Sequence, residues 1–229
     1  MDKYFDHIYV LNLDRRQDRW GAMKNKLTDL GLYPSSNITR FSAIDGRDPQ
    51  IQALWKNAPY FLANSGVLAI LLSIQKILTD ALQNKYQRFL ILEDDAIFHK
   101  NFNNEWNKRV ELLPKKWKLL FLGNSMHQWR FKTRCSYYPG YLTAKGTIPG
   151  AFALGIDHKA IPVLWRGILT GQSPWDLEPL KRVNDTFPGQ CLVLYPPLCI
   201  AGVEDSDLRD RSLQQKAKDC NWNLSDFLS

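Results

Sequence analysis

Apolar and polar positions along the chain alternate between two periodicities. "HIYVLNL", His7 to Leu13, is a short apolar, β-branched run that reads as a strand. Asp14 with Gln17 three positions on resembles a capping box, and Trp20, Met23, Leu27 and Leu30 then recur at helical spacing until Gly31 stops them. "NITRFSAIDGRDP" predicts a second strand closing in a turn at Asp45 and Gly46. A long helix is predicted after Asn64 and Ser65, with Val67, Ile70, Leu71, Ile74, Ile77, Leu78 and Leu82 on one broad apolar stripe.

The second half continues the alternation. "RFLILEDDAIF" lacks period-two patterning and reads as a central strand covered on both faces. A helix around 102–113, a strand in "WKLLFLGN", a strand and helix in "GAFALGIDHKAIPVLWRGIL" and a late strand in "CLVLYPPL" follow. Residues 126–150, rich in Tyr, Trp, Gly and basic residues without clear periodicity, read as long surface loops, and the tail from Asp205 as a weakly packed helix. Strands alternating with helices predict an α/β layered sheet with parallel strands, whose ligands collect at the carboxyl ends. Three charged turns, "NLDRRQDR", "AIDGRD" and "LEDDA", fall there. No internal repeat or linker divides the chain, so residues 1–229 read as one domain.

Composition narrows the partners. At 229 residues, 45% hydrophobic and 23% charged, the chain is of ordinary globular composition, and its formal net charge of +7 favours anionic partners. The basic residues are scattered among acidic ones, which argues against nucleic acid. Cys135, Cys191, Cys199 and Cys220 form no C-x-x-C pair and read as reduced, partly buried thiols. The N-terminus lacks a signal-peptide pattern and no uninterrupted apolar run approaches a membrane span, so the expectation is a cytoplasmic protein with at most peripheral membrane association.

The chemistry centres on Glu93, Asp94 and Asp95. Extended residues alternate in direction, so Glu93 and Asp95 point to one side and Asp94 to the other. Adjacent carboxylates repel unless compensated, and oxygen ligands in an E-x-D arrangement suit Mg²⁺ or Mn²⁺, which leaves positions open for phosphate oxygens. The alternative is that Glu93 and Asp94 cap the following turn or pair with Lys100 and Arg88. Arg15, Arg16 and Arg19 stand at a strand-to-helix junction, an anion-favouring place, or are solvated charges on a first helical turn. Asn12 is an unusual polar residue in a strand end; Asp45 and Gly46 make either an ordinary turn or a ribose or base contact. In "SPWDLEPL", Asp176 beside Trp175 could take a proton from an acceptor hydroxyl while the aromatic ring carries a sugar, or could N-cap a short helix.

Taken in order, "YVLNLDRRQDRW", "FSAIDGRD", "FLILEDDAIF", "GAFALGIDHKAI", "SPWDLEPL" and "YPPLCIAGVEDSDLR" resemble glycosyltransferase family 25, which contains bacterial lipooligosaccharide and procollagen galactosyltransferases. The resemblance spans nearly the whole chain and implies a single glycosyltransferase domain over 1–229, with a donor-binding half to about residue 123 and an acceptor-side half from about 124. It implies a GT-A fold, a Rossmann-like, mainly parallel sheet flanked by helices, and an acidic motif holding Mn²⁺ against a donor diphosphate. On this chain it implies Glu93 and Asp95 as metal ligands, Asp95 foremost, with Asp94 completing the donor motif. Asn12, Arg16, Arg19 and Asp45 become nucleotide-side residues, Asp176 the catalytic base or acceptor anchor, and Ser206 and Asp207 a second donor contact. The family's Gly-x-x-x-Cys-x-x-Ser-His pattern keeps Gly66 and Ser73 here, but Ile70 and Ile74 replace the Cys and His, a departure that bears on donor use.

The expected activity is metal-dependent, inverting transfer of a hexose, galactose foremost, from a UDP-sugar to a hydroxyl of a glycan, glycolipid or glycoprotein. A noncatalytic glycan-binding protein that retains the fold is the alternative, motivated by Ile70 and Ile74 and by the aromatic segment around Trp129, Tyr137, Tyr138 and Tyr141. A metal-dependent phosphohydrolase ranks last, since no Walker A loop, no H-E-x-x-H and no second acidic or His cluster accompanies the triplet.

Overall fold

The computed structural model of the protein describes residues 1, 3–57, 62–126, 135–170, 173–202 and 212–227. In chain order the elements are β1 (His7–Leu13), α1 (Gln17–Asp29), β2 (Ile38–Ala43), α2 (Pro49–Asn57), α3 (Ser65–Gln83), β3 (Arg88–Glu93), β4 (Ala96–Phe98), α4 (Phe102–Val110) and β5 (Leu119–Phe121). They continue with β6 (Cys135–Tyr138), β7 (Tyr141–Ala144), β8 (Ala153–Asp157), α5 (Ile161–Leu169), α6 (Glu178–Thr186), β9 (Cys191–Leu194), β10 (Cys199–Ala201) and α7 (Leu213–Cys220). Eight strands form one sheet in the order β2-β1-β3-β8-β5-β9-β7-β6, and β10 pairs with β4 beside it. β1 lies parallel between β2 and β3, and β5 lies parallel to β9; β8 and β7 run against the rest. The expected α/β, Rossmann-like and mainly parallel sheet is therefore present.

Two apolar layers follow from the pleat. Successive residues of a strand face opposite sides. Ile8 and Val10 of β1, with Leu90 and Leu92 of β3, pack under Met23 and Leu27 of α1, Phe102 and Trp106 of α4, and Leu213 and Ala217 of α7. Tyr9 and Leu11, with Phe89 and Ile91, face the other way, onto Ile74, Ile77 and Leu78 of α3 and the apolar faces of α5 and α6. Burial of each such aliphatic side chain contributes roughly 1.5–3 kcal/mol. α3 is the one helix among the described residues with the length and apolarity of a membrane span, and its apolar side packs into this second layer. It starts where expected: the Asn64 side chain accepts from the Val67 N–H.

Several elements depart from the pattern-based expectation, each for an identifiable reason. Asp14 does not cap α1; its carboxylate accepts from Arg40 and Ser42 of the neighbouring β2, while Gln17 turns back to the Asp14 carbonyl. Leu82, placed on the apolar stripe, is exposed in the last turn of α3. α2 carries no buried residue and left little apolar signal. The 126–150 segment contains the β6–β7 hairpin, whose strands extend the sheet at its far edge. β8 is antiparallel to both its neighbours; a uniformly apolar run shows that a strand is buried but not which way it runs.

Beyond β5 the chain passes the β10 strand with no room between them. A Cβ on Gly123 would lie 1.7 Å from the Cys199 carbonyl oxygen and 3.0 Å from the Phe152 ring. Gly123→Ala is expected to lower unfolding stability by ~3 kcal/mol, the upper part of the overpacking range, read as a lower midpoint in urea.

Candidate active site

β3 ends at Glu93, and the turn through Asp94 and Asp95 leads into β4. The three carboxylates have different partners. Asp94 is fully engaged: Asn12 Nδ2 donates to its Oδ2 at 2.6 Å, and Arg19 Nη1 donates to its Oδ1 at 3.2 Å. Asn12 is itself buried at 1% exposure, accepts from Arg40 Nε at 2.7 Å, and donates to the Arg16 carbonyl at 3.0 Å. It therefore positions Asp94 from behind. Asp95 Oδ1, by contrast, is buried and has no hydrogen-bond partner. Neither the Lys100 nor the Arg88 pairing occurs: Arg88 lies over Trp117 and Tyr4 and faces Asp157.

The electrostatics follow from that division. Burial, then the neighbouring Asp95 and Asp176, raise the Glu93 carboxyl to about 8, against a partial opposing pull from Lys216. Burial and Asp94 raise Asp95 to about 6, with Arg19, Lys216 and Lys26 opposing. A bound cation reverses both effects, because it replaces the lost hydration and screens the repulsion. Among the described residues no group of three or more His, Cys, Asp or Glu side chains encloses a metal site. Mg²⁺ and Mn²⁺ are held by one or two carboxylates completed by substrate phosphates and water, so an unpartnered Asp95 oxygen beside Glu93 fits such an ion.

In front of the carboxylates lies a cavity of about 320 Å³. Its walls come from the ends of β1 and β2, the start of α3 and the β3 turn, and they present Arg15, Arg19, Arg47, Asp45, Gly46 and Ser65 along with the acidic triplet. The α3 N-terminus adds backbone N–H groups to the same wall, an anion-favouring arrangement. Asp45 accepts from Arg15 Nε at 2.8 Å and from the Arg47 N–H at 2.9 Å, so it makes the turn and still lines the cavity. A second cavity of about 230 Å³ lies across the Arg19–Asp94 pair and includes Arg16, Lys26 and Leu213.

The model of family 25, "Glycosyltransferase family 25 (LPS biosynthesis protein)", matches residues 5–140, more than half of the chain. The chain belongs to glycosyltransferase family 25. A protein of Acanthamoeba polyphaga mimivirus named as a glycosyltransferase, R655, is 33% identical over 132 residues, 52% of this chain and 38% of its own length. A glycosyltransferase 25 family member of Drosophila pseudoobscura pseudoobscura is 29% identical over 108 residues, 42% of this chain and 17% of its own. The chain thus spans well under half of either relative. Among solved structures, a glycosyltransferase involved in glycosylation of the major capsid of PBCV-1 aligns at 12% identity and a TM-score of 0.44, covering 82% of this chain and 81% of that one.

The residues expected from the family resemblance sit unequally around the cavity. Glu93, Asp94, Asp95, Arg19 and Asp45 line it. Arg16 faces the second cavity and pairs with Asp18 at 2.8 Å. Asp176 is near enough to raise the Glu93 pKa, receives the Gly150 N–H at 3.5 Å, and does not cap α6, which begins behind Leu177 without a side-chain cap. Trp175 is 4% exposed and packed in the core, so it offers no face to a sugar. Ser206 and Asp207 lie outside the described residues, as does Trp129. At the family's Cys and His positions, Ile70 lines the cavity while Ile74 is fully buried. The retained Ser73 ties α3 to β2, accepting from the Ile44 N–H at 2.9 Å. Arg47 and the α3 N-terminus were not foreseen, because only the tertiary fold brings them to β3.

These charges give the metal-free protein a distinctive pH response. Both carboxyls are raised above their unfolded values, so proton uptake on folding stabilises the protein fully below the ordinary carboxylate range and is lost as pH rises through about 6 and then about 8. Thermal midpoints of the metal-free protein are expected to fall between pH 5 and 8.5. Mn²⁺ should recover them at pH 8 and not at pH 5, and Glu93→Gln should flatten the profile.

Proposed function

We propose that the protein transfers a hexose, galactose foremost, from a UDP-sugar to a hydroxyl of a glycan, glycolipid or glycoprotein acceptor, with inversion and with Mn²⁺ or Mg²⁺ bound. The observation that carries the reading is the buried, unpartnered Asp95 oxygen in the wall of a cavity that also presents three arginines. Family membership, the location at the carboxyl end of β3 and a cavity volume in the small-ligand range support it.

Each group then has a task. Arg15, Arg47 and the start of α3 favour the nucleotide's negative charge, and Asp45 offers a carboxylate to ribose or base. Asn12 and Arg19 hold Asp94, which leaves Glu93 and Asp95 to meet the cation. The bound ion would supply charge neutralisation for the diphosphate. Asp176 accepts the proton of the acceptor hydroxyl as its oxygen bonds to the anomeric carbon. The bond from that carbon to the diphosphate breaks, and its electron pair leaves on UDP.

Incubation with a panel of nucleotide sugars and acceptors, with UDP release as the readout, is expected to give Mn²⁺-dependent turnover. Asp95→Ala should reduce it by about 10²-fold or more, given several kcal/mol of charge stabilisation. Asp176→Asn should lower kcat by about 10²–10⁴-fold while UDP affinity holds. Glycan binding that survives both EDTA and Asp95→Ala, without any transfer, would instead identify a noncatalytic glycan-binding protein.

A further inference from the structure

The carboxyl end of β5 presents polar groups that the fold leaves unused. β5 and β3 both run against β8, which lies between them, so their carboxyl ends fall on the same edge of the sheet. Beyond β5 the chain continues through Leu122, whose N–H donates to the Ala153 carbonyl at 3.0 Å, and through the close-packed Gly123 to Asn124 and Ser125.

Asn124 is held on two sides. Its main-chain carbonyl accepts from the Trp222 indole N–H at 3.1 Å, and its Oδ1 accepts from the Met126 N–H at 2.8 Å. The second bond settles which end of the amide is oxygen and leaves Nδ2 as a donor of fixed direction. Among the described residues nothing accepts from that nitrogen, although Asn124 is only 3% exposed. Asp95 Oδ1 is the one wholly buried side-chain nitrogen or oxygen without a partner among those residues, so Asn124 Nδ2 reaches the surface. A donor so placed stays unsatisfied until water or a ligand meets it.

Ser125 brings a second group to the same place. Its N–H donates to the Pro149 carbonyl at 2.8 Å, and its hydroxyl oxygen lies 2.7 Å from where a Cβ on Gly150 would stand. That hydroxyl makes no hydrogen bond among the described residues. Gly150, with a φ of +87°, donates its N–H to Asp176 Oδ2 over 3.5 Å, too long for a strong hydrogen bond. Two residues on, the Phe152 carbonyl accepts from the Glu93 N–H at 2.9 Å. At most ~7 Å of chain therefore separates the residue that meets Asp176 from the one that meets the acidic strand.

The chemistry of this group is that of a sugar site. An amide N–H donates, a serine hydroxyl does both, and a loosely held carboxylate accepts, a set that complements adjacent ring hydroxyls, each of which donates and accepts. The wall that carries Arg15 and Arg47 suits a diphosphate instead.

We propose that Asn124 and Ser125 bind the acceptor sugar, through the ring hydroxyl next to the one that reacts. This rests on the transfer reading above. Asn124 Nδ2 and the Ser125 hydroxyl hold the neighbouring hydroxyl, and the reacting one is thereby presented to Asp176.

Kinetics with the most active UDP-sugar, Mn²⁺ and a panel of methyl hexosides test the assignment, together with the monodeoxy analogues of the hexoside that reacts fastest. The wild type is expected to lose roughly 10-fold in acceptor kcat/KM when the neighbouring hydroxyl is absent. Asn124→Ala and Ser125→Ala should each lower acceptor kcat/KM by roughly 10-fold on the parent sugar and narrow the preference for it over that analogue, while UDP affinity by calorimetry stays at the wild-type value. If both variants keep the wild-type acceptor kcat/KM, or both lose UDP affinity in step with it, this inference alone is overturned. A wild type indifferent to every deoxy analogue overturns it as well, and that result requires no variant to fold. A wild type that transfers to no sugar in the panel overturns the transfer reading and this inference together.

Discussion

Two carboxyl groups at the end of a buried strand repel each other, and the surrounding protein does little to relieve them. Glu93 is raised by burial and by Asp95, Asp95 by burial and by Asp94, and one Asp95 oxygen has no donor at all. A fold selected only for stability would have paired or removed them, because an unsatisfied buried polar atom costs about 1–3 kcal/mol. Here the donors available nearby are spent on the middle residue, Asp94, which receives both Asn12 and Arg19. The outer two are left with unmet demand for positive charge. The cavity and the arginines around it acquire their meaning from that demand.

The sheet makes the arrangement possible. β3 is covered on both faces, so its backbone is rigid up to the residue at which the acidic turn begins. β1 runs alongside in register, placing Leu11 opposite Glu93 and letting Asn12 reach the turn one residue later. The hydrogen-bond network through Arg40, Asp14 and Ser42 carries the support back to β2. Three strand ends are thereby locked to one another by polar contacts at the edge where ligands of such sheets collect.

Much of this was legible in the residues themselves. The unalternating run before Glu93 announced a central strand, and Asn64 announced the start of α3 with the cap that is observed. The expected strand alternation of the triplet stops short, because β3 ends at Glu93 and the turn brings Asp94 and Asp95 to the same cavity. What was not legible depends on partners distant in sequence. Asn12 looked like a ligand-facing residue and proves to be a brace, since its side chain is used up by groups 4, 28 and 82 positions away. Asp14 matched a capping pattern but was claimed by β2. The reversed β8 and the β6–β7 hairpin lacked any local signal of direction or pairing. Trp175 sat beside an interesting aspartate in sequence and yet turned into the core.

Gly46 and Gly66 both lie in the wall of the larger cavity and meet with no side chain between them: a Cβ on Gly46 would lie 2.6 Å from the Gly66 backbone. Main chain therefore rests on main chain where the β2 turn touches the start of α3, and any residue larger than glycine at position 46 would wedge the two elements apart. The spacing of that wall is a property of the backbone, which ties the shape of the cavity to the packing of the fold itself.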